Sequence, residues 1–267
     1  MGCHTSARVL AALATLFLTV LPASTAAAGG ASAASSAVVT LQEDLAQLGY
    51  LPVGWNGRSF TYPAQPMPAP LRALFAPGRY DVLMRGAVMS YAAQRGIDLR
   101  RTGLSALLAD LRGDVAAGRR AQKPFTYVYV DASTPERLVV WSTSGALRST
   151  AANTGVAGAA TPLGTYPVYL RLPFQIMRGH DLNGAAYADP VHWISYFVGG
   201  DAVHGFVRAA YGFPQSLGCV ELPLAQAQAV YAETQVGTLV TIARGPLTFV
   251  APPPGSRTLA PPVRSPD

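Results

Sequence analysis

The chain has 267 residues, of which 50% are hydrophobic and 13% are charged, and its formal net charge at pH 7 is +6. This length allows one large domain or two small ones, with ample sequence for a hydrophobic core. The positive charge suits an anionic polymer or a phospholipid surface, and it would also suit nucleic acid. An export signal at the start of the chain and the lack of a recognition motif exclude nucleic acid as the partner.

The beginning of the chain has the pattern of a secretory signal peptide. Arg8 precedes an apolar run over Val9–Leu21, and Ala26-Ala27-Ala28 supplies a small-residue cleavage site. The run is short for a membrane-spanning helix, so contact with a membrane is expected only if the signal stays uncleaved as an anchor. Cys3 precedes the run and is badly placed for lipid attachment. We therefore predict a signal peptide over residues 1–28 and a secreted, extracytoplasmic protein.

A basic, helical segment is predicted next. Residues 29–37 are small and polar and predict a flexible lead-in. The first helix is indicated by leucines at helical spacing that end at a glycine, namely Leu41, Leu45, Leu48 and Gly49. Two more helices are predicted at about 81–95 and 104–117, which makes a small three-helix domain over 38–123. Residues 29–123 contain 11 basic and 6 acidic residues, so this segment carries the excess positive charge.

From Phe125 the hydrophobic period changes to two, which predicts β-strands. The predicted strands are Thr126–Asp131, Arg137–Thr143, Thr165–Leu172, Val191–Val198, Ala202–Phe206 and Thr238–Ala243. With one helix at Pro223–Thr234, they predict a mainly antiparallel barrel or sandwich over 124–245. The Pro-rich tail at 246–267 is expected to be extended or disordered. The predicted fold class is thus multidomain α + β.

Cys219 is the one cysteine that remains once the signal peptide is removed, so it cannot form an internal disulfide. Gly218 directly before it permits a sharp turn, and His204 lies 15 residues upstream. A thiol needs a base because its ordinary pKa of about 8.5 leaves it mostly protonated at neutral pH. Pro223 suits a first helical position, so a helix start close behind the thiol would favour the thiolate. The alternative is that Cys219 is a buried small hydrophobic residue.

These residues resemble the L,D-transpeptidase catalytic family of the YkuD type, in which His-Gly is followed some fifteen residues later by Ser/Thr-His-Gly-Cys. The matching residues are His204-Gly205 and Ser216-Leu217-Gly218-Cys219, with Asn153-Thr154-Gly155 and Thr161-Pro162-Leu163-Gly164 upstream. Two positions depart from the family pattern. Leu217 stands where the family has a second histidine, and Glu221 stands where it commonly has an arginine.

The helical segment is similar to the peptidoglycan-binding three-helix module that often accompanies such enzymes. The resemblance is carried by Leu48-Gly49-Tyr50-Leu51 and by Gln94-Arg95-Gly96-Ile97. A Pro-rich insertion over Asn56–Gly78 replaces the short loop of the family. The alternative is therefore a helical spacer that binds nothing.

The family resemblance implies a role for each residue near the thiol. Cys219 is the nucleophile, His204 its base, and the Gly205 carbonyl holds the other ring nitrogen of His204. The backbone N–H groups of Gly218 and Cys219 are expected to form the oxyanion hole. The candidate substrate-binding residues are Ser216, Leu217, Arg208, Tyr196, Phe197, Trp193 and Glu221. No metal or other cofactor is expected, because His180, His192 and His204 show no zinc-site spacing.

The resemblance implies an L,D-transpeptidase of the cell wall. Such an enzyme releases D-Ala from a peptidoglycan stem tetrapeptide through a thioester and transfers the acyl group to an amine of a neighbouring stem. Carbapenem-type β-lactams would be covalent inhibitors. Three alternatives stay open: an L,D-carboxypeptidase, another Cys-His peptidase, and a non-catalytic wall-binding protein with a degenerate site.

Overall fold

The computed structural model describes residues 28–253, with side chains described from residue 36 onward. The predicted signal peptide over 1–28, apart from Ala28, and the part of the predicted tail beyond residue 253 lie outside the described residues. The described chain divides into two compact units, one helical and one formed mainly of β-strands. None of the described helices is both long enough and apolar enough to cross a membrane.

The helical unit comprises residues 28–126, 142–146 and 248–253 of the described chain. Its first elements are α1 (Ala28–Leu48), β1 (Gly54–Trp55), β2 (Phe60–Thr61), β3 (Met67–Pro68), α2 (Ala69–Leu74), α3 (Val82–Arg95) and α4 (Leu104–Ala116). The backbone of 29–37 belongs to α1, so the flexible lead-in predicted there was wrong. The insertion over 56–78 folds into part of the β1–β2 hairpin, β3 and the short helix α2.

The three predicted helices of this unit correspond to α1, α3 and α4. Leu45 and Leu48 are buried as the helical spacing predicts, and α1 ends before Gly49, which has a φ of +88°. The Asp81 carboxylate caps α3 by accepting hydrogen bonds from the N–H groups of Leu83 and Met84 at 2.9 and 3.3 Å. Capping and burial of an apolar face thus account for these helices.

The β unit comprises residues 127–141 and 147–247 and contains two sheets. Its elements are β4 (Thr126–Asp131), β5 (Arg137–Ser142), β6 (Leu147–Ala151), β7 (Gly164–Pro167), β8 (Leu170–His180), β9 (Ala186–Val198), β10 (Asp201–Gly205), β11 (Val220–Leu222), α5 (Leu224–Glu233) and β12 (Leu239–Ala243). The first residue of β4 and the last residue of β5 lie just outside the unit. The five-stranded sheet has the order β6-β5-β4-β12-β7, and the four-stranded sheet has the order β11-β10-β9-β8. Two pairs, β4 with β12 and β10 with β11, are parallel, whereas β5 with β6, β7 with β12, β8 with β9 and β9 with β10 are antiparallel.

The hydrophobic core of this unit joins the two sheets and α5. Val128 and Val240 come from the five-stranded sheet, Val203 and Val220 come from the four-stranded sheet region, and Val230 comes from α5. The described strands of this unit form two separate sheets, so its architecture is a sandwich and they form no closed barrel. Packing of one face of each sheet against the other is what excludes water from this core.

The beginning of the Pro-rich tail is more ordered than expected. Phe249–Val250 forms β13, which pairs with β3 in antiparallel register within the helical unit. The Ala69 N–H also donates to the Thr248 carbonyl at 2.8 Å. The extended tail predicted from residue 246 therefore includes a short strand that the helical unit holds by backbone hydrogen bonds.

Candidate active site

The pairing of β10 with β11 brings the candidate catalytic residues together. These strands are parallel, with His204 opposite Glu221, and Cys219 directly precedes β11. Side chains of His204, Cys219 and Glu221 line one cleft. The other residues of this cleft are Met177, Tyr187, Asp189, Val191, Phe206, Arg208, Ser216 and Leu217. Cys219 and His204 thus line the same cleft, and their roles as nucleophile and base stay predictions.

The turn before Cys219 is set by glycine geometry and by two hydroxyl groups. Gly218 has a φ of +117°, and a Cβ added there would lie 2.3 Å from Oδ1 of Asp201. The Ser216 hydroxyl donates to the Cys219 carbonyl, and it accepts a hydrogen bond from the Gly218 N–H at 3.2 Å. The Thr161 hydroxyl donates to the Gly218 carbonyl at 2.7 Å. These bonds orient both carbonyl groups of the turn and so determine where the thiol projects.

The same contacts bear on the predicted oxyanion hole. Because the Gly218 N–H donates to Ser216, it would have to leave that partner before it could bind an oxyanion. Participation of the Cys219 N–H stays a prediction. Ser216, predicted to touch substrate, lines the cleft and also supports the turn.

His204 is buried, with 3% of its surface exposed. Its Nδ1 lies 3.2 Å from the Gly205 carbonyl oxygen, so Nδ1–H is assigned as the donor and Nε2 carries the lone pair. Burial lowers the pKa of His204 below its ordinary value, although the Gly205 carbonyl and the Glu221 charge act in the opposite direction. The imidazole is therefore neutral near pH 7, which is the state that a general base requires.

Arg208 and Glu221 bind each other. Nε of Arg208 donates to Oε2 of Glu221 at 2.8 Å, and Nη2 donates to Oε1 at 2.7 Å. The Glu221 side chain is 6% exposed and that of Arg208 is 31% exposed. The bond to Glu221 raises the pKa of Arg208. The two residues were predicted as a carboxylate clamp and a binder of an amine, but their charged groups bind each other through two hydrogen bonds.

The predicted aromatic walls lie mainly outside the cleft. Phe197 is part of the sandwich core, and Trp193 packs against that core with its ring 5.6 Å from the ring of Tyr231. Tyr196 packs in the same apolar cluster as Cys219, and its hydroxyl donates to Oε1 of Gln175 at 2.9 Å. None of these three aromatic residues lines the described cleft. Their strand positions place them in the core because alternation alone does not reveal which face is covered.

Sequence analysis missed the wall of the cleft that β8 and β9 provide. Tyr187, Asp189 and Val191 alternate along β9, and Met177 of β8 pairs with Asp189. Their period of two was a usable signal, because the same alternation places them on one face. The helix behind the thiol also differs from expectation. Pro223 is the N-cap of α5 and β11 intervenes, so the helix dipole lies beyond the first-turn range over which it acts strongly.

Residues 126–242 match the family model YkuD, described as the L,D-transpeptidase catalytic domain. No curated protein matches the chain significantly.

Among solved structures, an L,D-transpeptidase from Mycobacterium smegmatis is 22% identical, with a TM-score of 0.40, 44% of this chain and 59% of that chain covered. L,D-transpeptidase 3 from Mycobacterium tuberculosis is 19% identical, with a TM-score of 0.42, 45% of this chain and 62% of that chain covered. The catalytic domain of the E. faecium L,D-transpeptidase is 20% identical, with a TM-score of 0.40, 46% of this chain and 99% of that chain covered. The match thus spans about 59% of the length of the first of these. The cleft lies within residues 126–242, the segment of this chain that matches the L,D-transpeptidase catalytic domain.

Proposed function

We propose that the protein is a secreted cysteine L,D-transpeptidase that cross-links peptidoglycan stem peptides in the cell wall. The observation that carries the proposal is the placement of Cys219 and a neutral, buried His204 in one cleft of the family-matched segment. The predicted signal peptide supports secretion. If water instead of an amine attacked the thioester, the same cleft would act as a carboxypeptidase.

The first half of the reaction forms a thioester. Nε2 of His204 takes the proton of the Cys219 thiol, and the thiolate sulfur attacks the carbonyl between the third stem residue and the terminal D-Ala. The Cys219 N–H holds the tetrahedral oxyanion, joined by the Gly218 N–H once that group leaves the Ser216 hydroxyl, and one such donor contributes about 3 kcal/mol in comparable sites. Its collapse breaks the amide bond. The leaving amine of D-Ala takes the proton back from His204, and the acyl group stays on sulfur.

The second half transfers the acyl group. An amine of a neighbouring stem attacks the thioester carbonyl, gives a proton to Nε2 of His204, and forms an amide as the carbon–sulfur bond breaks. The proton then returns to the Cys219 sulfur. Leu217 and Val191 line the cleft beside these groups. Apolar side chains there disfavour bound water, which favours the amine over hydrolysis.

Covalent inhibition by a β-lactam follows from the same chemistry. Its strained amide carbonyl is an acyl donor for a thiolate, and ring opening keeps the leaving amine attached to the acyl group. We therefore propose that a carbapenem acylates Cys219. The E. faecium catalytic domain has been described in a form acylated by ertapenem.

The test is a product assay with a purified disaccharide-tetrapeptide, analysed by mass spectrometry. The wild-type protein is expected to release D-Ala and to form dimers joined between the third residues of two stems. The Cys219→Ser variant, which changes one atom at the nucleophile, is expected to form neither product. Tripeptide without dimers would establish the carboxypeptidase instead, and unchanged substrate would favour the wall-binding alternative.

A further inference from the structure

A second concave site lies in the helical unit, among α1, α3 and the segment that follows α4. It is lined by Leu48, Tyr50, Arg95, Asp114, Arg119 and Arg120. Three arginines and one aspartate therefore line the site, so the formal charge of its lining side chains is +2. We call it the arginine pocket. None of these residues belongs to the L,D-transpeptidase domain at 126–242.

Asp114 organises the arginine pocket from inside. Its side chain is only 6% exposed, and its Oδ2 accepts from Nε of Arg95 at 2.9 Å and from the Tyr91 hydroxyl at 3.1 Å. Its Oδ1 accepts from Nη1 of Arg119 at 2.5 Å. One buried carboxylate thus fixes two guanidinium groups in place, and such prior ordering lowers the entropy cost of binding a ligand.

The pocket retains capacity for an anion. A guanidinium has five N–H donors, and Asp114 receives two from Arg95 and one from Arg119. The side chains of Arg95 and Arg119 are 37% and 53% exposed. Arg120 donates from Nη1 to the Gln47 carbonyl near the end of α1. Donors on all three side chains can therefore reach a group at the mouth of the pocket.

Capping of helix ends explains only part of this arrangement. Arg120 binds a carbonyl in the last turn of α1, where a cation is favourable. The convergence of Arg95 and Arg119 on one carboxylate leaves a net formal charge of +1 on partly exposed guanidinium groups, which attracts an anion. A guanidinium offers the planar fork that carboxylate and phosphate oxygens accept.

We propose that the arginine pocket binds an oxyanion group, phosphate or carboxylate, of an anionic cell-wall polymer. The wall as the source of the polymer rests on the proposed function. Binding of the oxyanion itself does not, so the two can fail separately.

The first test measures binding of inorganic phosphate to the full protein by calorimetry at low salt. The informative variant is Arg119→Gln/Arg120→Gln. Its matched control is Arg100→Gln/Arg101→Gln, which removes the same charge from exposed side chains that pair with Asp98. Affinity should fall at least about tenfold in the pocket variant, the size of one lost charge-assisted hydrogen bond, and should change little in the control.

Equal losses in both variants would overturn the proposal in favour of general charge attraction, and unchanged affinity in the pocket variant would overturn it directly. The Arg119→Lys/Arg120→Lys variant keeps the positive charge but removes the paired N–H donors of the guanidinium groups. It should bind phosphate more weakly than the wild type, and it keeps the test decisive if the glutamine variant fails to fold. Wild-type affinity in the lysine variant would contradict recognition by guanidinium groups.

The second test identifies the source of the oxyanion. The wild type and the Arg119→Gln/Arg120→Gln variant are co-sedimented with sacculi from which phosphate polymers have been stripped. Binding of the same two proteins to soluble poly(glycerol phosphate) is measured separately. Retention on stripped sacculi that depends on Arg119 and Arg120 assigns peptidoglycan carboxylates, and binding only to the phosphate polymer assigns phosphate. Failure on both contradicts a wall ligand. β-Lactam acylation of the same samples reports separately on the proposed function.

Discussion

The cleft around Cys219 and the arginine pocket differ in how far their charged groups are balanced by partners of opposite charge. In the cleft, Arg208 is matched by Glu221 and burial keeps His204 neutral. In the pocket, two of three arginines share one buried carboxylate, and the third binds a backbone carbonyl. A site for covalent chemistry benefits from groups that become charged only during the reaction, whereas a site for equilibrium binding benefits from charge that is present beforehand.

This comparison teaches that the two units can be probed independently. Variants in the cleft should alter acylation or stability and leave phosphate binding intact. Variants in the arginine pocket should do the reverse. The following substitutions test the cleft. A change in phosphate binding caused by any of them would contradict the independence of the cleft and the arginine pocket.

The largest effect is expected for His204→Ala. Loss of the general base should slow acylation of Cys219 by a carbapenem about 10²–10⁴-fold at neutral pH, because the thiol loses its proton acceptor. Stopped-flow or mass-spectrometric rates measure the effect. His180→Ala is the matched control, since His180 lies at the exposed end of β8 and is absent from the cleft lining. An equal rate for His204→Ala and wild type would remove His204 from the mechanism.

The pH dependence follows from the direction of the His204 shift. Burial lowers the pKa of His204 below 6.5, so the folded protein keeps a neutral base at a pH where a solvent-exposed histidine would be protonated. Acylation should therefore decline only below about pH 6.5. For stability, the unfolded chain binds the proton first, so the contribution of His204 is complete above pH 6.5 and is lost as pH falls below it. The stability part of this loss should be absent in His204→Gln.

An intermediate effect is expected for Glu221→Gln. This change leaves Arg208 without its charged partner and should lower the free energy of unfolding by about 3 kcal/mol, near the lower limit for breaking a buried pair, because Arg208 is 31% exposed. Urea unfolding with an unchanged m-value measures it. Arg208→Gln/Glu221→Gln should recover part of the loss. If the two single losses simply add, the pair has no coupling and its assigned role is wrong.

Gly218→Ala should cost about 1–3 kcal/mol, from a residue with a side chain at positive φ and from its close approach to Asp201. The new Cβ should also displace the turn and slow acylation. Gly184→Ala, at a positive φ but with open space around it, separates backbone strain from the clash. Similar losses of acylation rate in both variants would show that contact with Asp201 is unimportant.

The smallest effect is expected at Leu217. This half-buried side chain lines the cleft, so Leu217→Ala should lower the free energy of unfolding by about 1 kcal/mol and modestly reduce acylation. Leu217→His restores the residue type of the family pattern and should be tolerated without a large gain. An inert wild type together with a reactive histidine variant would show that Leu217 marks a lost active site.

Local sequence signals were sufficient for much of the fold. Period-two alternation predicted β4 over Thr126–Asp131 with the observed bounds. Helical spacing and the glycines that follow predicted the C-terminal ends of α1 and α3 close to where they are observed. By contrast, β6 and the short strand β11 were not predicted. Their few residues carry little alternation, and their pairing with β5 and β10 is what defines them.

The sequence by itself determined the candidate nucleophile, its base and the glycine between Ser216 and Cys219, because spacing and residue type are local properties. Only the tertiary structure decided the partners of the charged groups. Arg208 meets Glu221 because β10 and β11 run in parallel, and Arg95 meets Arg119 because both reach one carboxylate on α4. The interaction between two charged groups depends on the distance between them in space, and for residues far apart in sequence that distance is set only when strands and helices pack.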